Sequence, residues 1–196
     1  MSLEDVTATD LADLRERQLE AQWEARVPQR FRHARLGKLG PETVGPIARW
    51  VASWRADVDD EGPVPGALVL YGPVGTGKTY AALAACWELQ VAPMFWPVVE
   101  LLDALRPSGG LPTLSPLEQG LLVLDDLGAE RATDWSGERL YALVNRRWMN
   151  EAPTVVTANV ASPQELRDSV GARVYSRLAD GATLVRMTGQ DRRLER

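Results

Sequence analysis

The chain has 196 residues, 45% hydrophobic and 25% charged, with a net charge of -5 and a single cysteine, Cys86. That length supports one well-buried domain rather than two, the lone cysteine excludes an intrachain disulfide, and the acidic balance argues against tight nonspecific DNA binding by a monomer, because such affinity comes from phosphate neutralisation by Lys and Arg. No run approaches the ~18 apolar residues of a membrane helix, and the start, MSLEDVTATD, is acidic where a signal peptide is basic, so the sequence reads as a cytoplasmic protein without membrane contact.

In chain order, residues 9 to 27 read as a helix whose apolar residues Leu11, Leu14, Leu19, Trp23 and Val27 make an imperfect stripe, suited either to packing on the domain or to docking a partner. Arg30 to Lys38 follows with basic residues and no acid, the best local candidate for an anion or nucleic-acid contact. Ile47, Trp50, Val51 and Trp54 then fall at helical spacing and read as a core-facing side. Asp57 to Gly66, acidic and rich in Pro and Gly, leads as a loop into the first strand.

From there strands and helices alternate. Strands are expected at 67 to 71, 92 to 98, 121 to 125, 153 to 158 and 182 to 187, and helices at 78 to 90, 99 to 105 and 137 to 149. Another helix starts at Ser162-Pro163-Gln164-Glu165, which combines an N-cap, a first-position proline and a capping-box Glu. The pattern implies an α/β protein with a five-stranded parallel sheet between helices. Residues 1–29 read as a helical extension suited to partner docking and 30–196 as the main domain. Cys86 falls in an apolar helix, as a small core residue. Of the 7 tryptophans, Trp23 and Trp96 are candidates for stacking on a base, although core packing suits most of them.

The chemistry concentrates after the first strand. Gly72, Pro73, Val74, Gly75, Thr76, Gly77, Lys78 and Thr79 form a complete phosphate-binding P-loop, with Tyr80 next to it. Glycines let backbone N–H groups turn inward on phosphate oxygens, Lys78 reaches the β- and γ-phosphates, and the Thr79 hydroxyl can ligate Mg²⁺ at a helix N-terminus. Leu121 to Asp126 is a buried strand ending in two carboxylates, one suited to hold the metal and the other to polarise an attacking water. Asn159 falls at the carboxyl end of the next strand, beside the γ-phosphate region of such a fold.

The order of the P-loop, LLVLDDLGAE, ATDW, LVNRRW, PTVVTANV, GARVYSRL and RMTGQDRR resembles the AAA+ ATPases of the bacterial helicase-loader group, DnaC/DnaI-like, with the transposition helper IstB as kin. The resemblance covers about Arg30 to Arg193. It implies an AAA+ core without a C-terminal lid domain, ATP and Mg²⁺ as cofactors, Asp125 as metal ligand, Asp126 as water-activating residue and Asn159 as sensor 1. Arg177 would be the finger inserted into a neighbouring subunit's site, with Arg173, one turn away, the alternative. It further implies slow hydrolysis, because Asp126 replaces the usual Glu, self-association through Arg177, a replicative helicase as partner and contact with single-stranded DNA. The segment Arg106 to Glu118, where the group lines a DNA channel, holds one basic residue. Other readings are an IstB-like transposition helper and a nucleotide-gated adaptor with little hydrolysis.

Overall fold

Leu and Val runs of strand length form a five-stranded sheet of order β2-β3-β4-β1-β5, with every neighbouring pair parallel. The computed structural model describes residues 8–56, 64–106, 114–129, 133–189 and 191. Its strands are β1 (Leu68–Tyr71), β2 (Met94–Pro97), β3 (Leu122–Leu127), β4 (Thr154–Ala158) and β5 (Thr183–Arg186). The helices are α1 (Ala8–Arg26), α2 (Pro41–Ala56), α3 (Lys78–Glu88), α4 (Val98–Ala104), α5 (Asp134–Met149), α6 (Pro163–Val170) and α7 (Ala172–Ala179). The expected α/β architecture is therefore present, with ends shifted by a few residues.

Strand residues alternate between two cores, one on each side of the sheet. Leu68, Leu70, Val123, Val155 and Val185 face a cluster shared with α1, α2 and α3. Val69, Leu122, Leu124, Val156 and Ala158 face a second cluster shared with α4 to α7. This parity matters for the site. Asp125 and Thr157 continue the series of Val123 and Val155, so both emerge on the side of α3. Small side chains let α3 approach closely: Ala81, Ala82, Leu83, Ala84, Ala85 and Cys86 are all fully buried. Burial drives the Cys86 thiol pKa far up, which keeps it protonated and inert.

The stripe on α1 divides in two. Leu19, Trp23 and Val27 are buried in the α3-side core, whereas Leu11 and Leu14 are exposed. Trp23 stacks edge-on against Trp87 and donates its indole N–H to the Arg32 carbonyl. It is a core residue and not a platform for a base. Trp96 is half-buried against the second cluster.

Helix ends follow their caps. α5 starts at Asp134, earlier than the spacing of its apolar residues indicates, because Thr133 and Ser136 exchange reciprocal hydrogen bonds in a capping box. Ser162 caps α6 as expected, but the Glu165 carboxylate accepts from Ala161 rather than from the cap residue's own N–H. Gly171, at φ 85°, then separates α6 from α7. Residues 57–63 of the expected Asp57 to Gly66 loop and 107–113 of the Arg106 to Glu118 segment lie outside the described residues, as do Gln190 and the last five positions.

One buried cation organises the lower edge of the sheet. Arg147 of α5 is 1% exposed, and no acid among the described residues forms an ion pair with it. Instead Nη1 donates to Leu117 O (2.5 Å), Nη2 to Gly120 O and Pro153 O (2.7 Å each), and Nε to Thr154 Oγ1 (3.0 Å). It thereby joins the entry of β3, the entry of β4 and the end of α5. Desolvation brings its pKa down to about 10, which leaves it charged at neutral pH. Arg147→Met removes these donors and orphans several buried carbonyls, so we expect a loss on the order of 3 kcal/mol in urea unfolding. An unchanged midpoint would show that the carbonyls find water instead.

Candidate nucleotide site

The turn after β1 is shaped by what surrounds it. Gly72 adopts φ 147°, and a Cβ there would come within 2.0 Å of the Met187 carbonyl oxygen. Only glycine lets the loop leave β1 this close to the end of β5. The loop is then braced internally, by Thr76 Oγ1 donating to Pro73 O (2.9 Å) and by Lys78 Nζ donating to Gly72 O (2.9 Å) and Pro73 O (2.6 Å). Lys78 is 5% exposed, a buried ammonium at the floor of the loop.

Parity and packing bring five polar side chains to this floor. Thr79, at the start of α3, donates to Asp125 Oδ1 (2.9 Å), and Thr157 of β4 donates to the same oxygen (2.7 Å). The Thr157 hydroxyl in turn accepts the Asp126 backbone N–H (2.9 Å). The β3–β4 register shifts between Leu124 and Leu127, and Asp126 takes φ 58°. This local strain turns its carboxylate out of the strand, where Asn159 Nδ2 donates to Oδ1 (2.8 Å). Burial holds the Asp125 carboxyl above the usual range and the Asp126 charge adds to this; the Thr157 and Thr79 hydrogen bonds and the Lys78 charge act the other way.

These groups open onto a cavity of about 390 Å³. Val74, Gly75, Gly77, Lys78, Thr79 and Tyr80 line it from the loop, and Asp126 and Asn159 from the strand ends. Arg30, Phe31, His33 and Lys38 close the other side. The basic stretch read as an anion or nucleic-acid contact therefore faces the P-loop. Tyr80 ties it down: its hydroxyl accepts from Arg35 N (3.1 Å) and donates to His33 O (3.3 Å).

The residues present suit a nucleotide with Mg²⁺. The inward loop, the buried Lys78 and the paired oxygens of Thr79 and Asp125 match phosphate and a hard cation. Among the described residues no three His, Cys, Asp or Glu cluster as a metal site. Arg173 and Arg177 do not line this cavity. They sit on α7 against α5, Arg177 with Nε donating to Asn145 Oδ1 (3.0 Å) and its guanidinium 4.1 Å from the Trp148 ring, Arg173 3.9 Å from the Tyr141 ring. Hydrogen bonding from Arg173, and then the charges of both arginines, lower the Tyr141 pKa.

Sequence reasoning missed Thr157 and the roles of Arg30, Phe31, His33 and Lys38. Thr157 carried one signal, a hydroxyl at an inward position two residues before Asn159.

No protein-family model matches the chain. The phage-like element PBSX protein XkdC of Bacillus subtilis is 29% identical over 134 residues, 61% of this chain and 50% of that protein. The replicative helicase loader DnaI of the same organism is 30% identical over 147 residues, 64% of this chain and 47% of that protein. The chain spans about half the length of the curated relatives it matches. A crystal structure of DnaI superposes with a TM-score of 0.70 at 26% identity, covering 85% of this chain and 94% of that one. Fold and sequence motif define the class: an α/β P-loop protein with the AAA+ fold. Within that class the chain is DnaC/DnaI-like. No helix among the described residues is long and apolar enough to cross a membrane.

Thr157→Val tests the junction without any ligand. It orphans the Asp126 N–H and removes a donor from ionised Asp125, a cost of about 1–3 kcal/mol. Because the lost bond favours the charged carboxyl, the variant's Asp125 pKa rises further; the deficit is therefore largest above that pKa and shrinks as acid protonates Asp125 in both proteins. Urea unfolding in EDTA at neutral and mildly acid pH checks this, and a pH-independent deficit would remove the link to Asp125.

Proposed function

We propose that the chain is a Mg²⁺-dependent ATPase of the helicase-loader kind, which binds ATP between the P-loop and the Arg30–Lys38 stretch and hydrolyses it slowly within an assembly of several copies. The observation that carries this reading is the linked set Thr79, Asp125, Thr157, Asp126 and Asn159 beside Lys78, with Arg177 outside that cavity. Lys78 would hold the β- and γ-phosphates, Thr79 and Asp125 would hold the metal, and Asn159, donating to Asp126, would orient that carboxylate toward the attacking water. Mg²⁺ supplies charge neutralisation of the phosphates when bound.

Arg177 then acts on a neighbour's γ-phosphate, which links hydrolysis to assembly. A replicative helicase and single-stranded DNA are the partners this reading names, on the strength of the similarity to DnaI; the exposed first half of α1, with Leu11 and Leu14, is the docking segment. The shorter arm of Asp126 supports a switch over a fast motor.

Light scattering with no nucleotide, with ADP and with a non-hydrolysable ATP analogue tests the assembly. Wild type should gain mass only with the analogue, and Arg177→Ala should not; a chain that stays monomeric throughout supports the nucleotide-gated adaptor instead. Assembly promoted by duplex rather than single-stranded DNA would favour the IstB-like helper. Asp126→Glu should raise turnover several-fold, since hydrolysis is limited by reach to the water. No gain would count against that account of slow hydrolysis.

A further inference from the structure

Four arginines are stacked on aromatic rings among the described residues: Arg35, Arg106, Arg173 and Arg177. Two of them are spent locally. Arg35 donates to the carbonyls of Arg32 and Ala34, and Arg106 pairs with Asp103 at 3.1 Å. Arg173 and Arg177 differ, because no acid among the described residues forms an ion pair with either. Their supports are neutral and lie in register. Tyr141, Asn145 and Trp148 fall at i, i+4 and i+7 on one face of α5, and Arg173 and Arg177 fall at i and i+4 on α7.

The support of Arg177 is itself fixed. The Trp148 indole N–H donates to Asp180 Oδ2 at 2.8 Å, which pins the ring beneath the guanidinium. Asn145 takes only the Nε–H. No acid among the described residues occupies the two terminal nitrogens, the edge that fits a phosphate bidentately. A carboxylate at position 145 would hold the side chain equally well and neutralise it. The amide holds it and leaves the charge.

We propose that Asn145 and Trp148 are positioning residues for Arg177, presenting its guanidinium charged and pre-oriented toward the phosphate of a nucleotide bound by a second copy of this chain. The inference rests on the reading of Arg177 as a finger acting in trans.

Asn145→Asp is the decisive variant, being isosteric and able to keep the Nε hydrogen bond while spending the charge. Trp148→Leu removes the ring, and Trp148→Phe restores one. Turnover is followed against protein concentration, alongside analogue-driven mass and the affinity of dilute monomer for a fluorescent ATP analogue. Asn145→Asp and Trp148→Leu should lower kcat of the assembled protein by roughly tenfold to a hundredfold, less than Arg177→Ala, with KM and monomer affinity close to wild type. Trp148→Phe should recover part of the loss, since it restores a ring but not the N–H that Asp180 pins.

If Arg177→Ala itself turns over and assembles like wild type, or wild type shows no concentration-dependent turnover, the finger reading fails and this inference with it. If Arg177→Ala is inactive while Asn145→Asp matches wild type, the finger stands and the positioning role of α5 is overturned. Should Trp148→Leu fail to fold by thermal melting, Asn145→Asp alone decides.

Discussion

Two hydroxyls, from Thr79 and Thr157, converge on one oxygen of Asp125, and the rest of the site is arranged around that meeting. A buried carboxylate is costly to keep charged, and here neutral donors favour the charged form without forming a tight ion pair. The constraint reaches further than the acid itself. Thr79 opens α3, Thr157 closes β4, and Asp125 lies on β3, so the junction fixes a helix and two strands at the level where phosphate would sit. The same Thr157 oxygen catches the Asp126 peptide and helps hold the strained turn that aims the second carboxylate.

The sheet separates two tasks by face. The side of α1, α2 and α3 carries the P-loop and the strip from Arg30 to Lys38, held to α3 through Tyr80. The opposite side carries α5 and α7, whose cores are apolar and whose outer faces bear the stacked arginines. The P-loop cavity and the stacked arginines thus lie on opposite faces of one layer of strands.

Much of this was legible in the sequence because it follows from periodicity and from motifs with one mechanical meaning. The five strands came from apolar runs bounded by turn residues, and the P-loop and Asp125 from spacing. What escaped was set by tertiary geometry. Thr157 reads as an ordinary β-branched strand residue, and only the alternation of β3 and β4 puts its hydroxyl on Asp125. Arg30 to Lys38 reads as a candidate anion contact, but that it faces the P-loop depends on Tyr80, a single residue whose hydroxyl bridges distant segments. The end of α6 at Gly171 was not marked because the sequence on both sides is helical, and the partners that bury Trp23, Trp87 and the Arg32 carbonyl, lie far away along the chain or in a turn. The early start of α5 depended on a Ser in the place where a Glu or Gln is the usual sign.

Arg147 and Trp148 are neighbours that point in opposite senses, one into the sheet and one out beneath Arg177. Arg147 grips Pro153 and Thr154 at the start of β4, and the other end of that short strand leads to Thr157 and Asn159. A continuous chain of contacts therefore runs from Thr157 and Asn159 along β4 through Arg147 and Trp148 to Arg177, the cation that the proposed assembly would offer next door. In a row of such subunits each would act as a gauge block, handing on spacing as well as charge, so that slack in a neighbour's grip would be felt as misalignment and not absorbed.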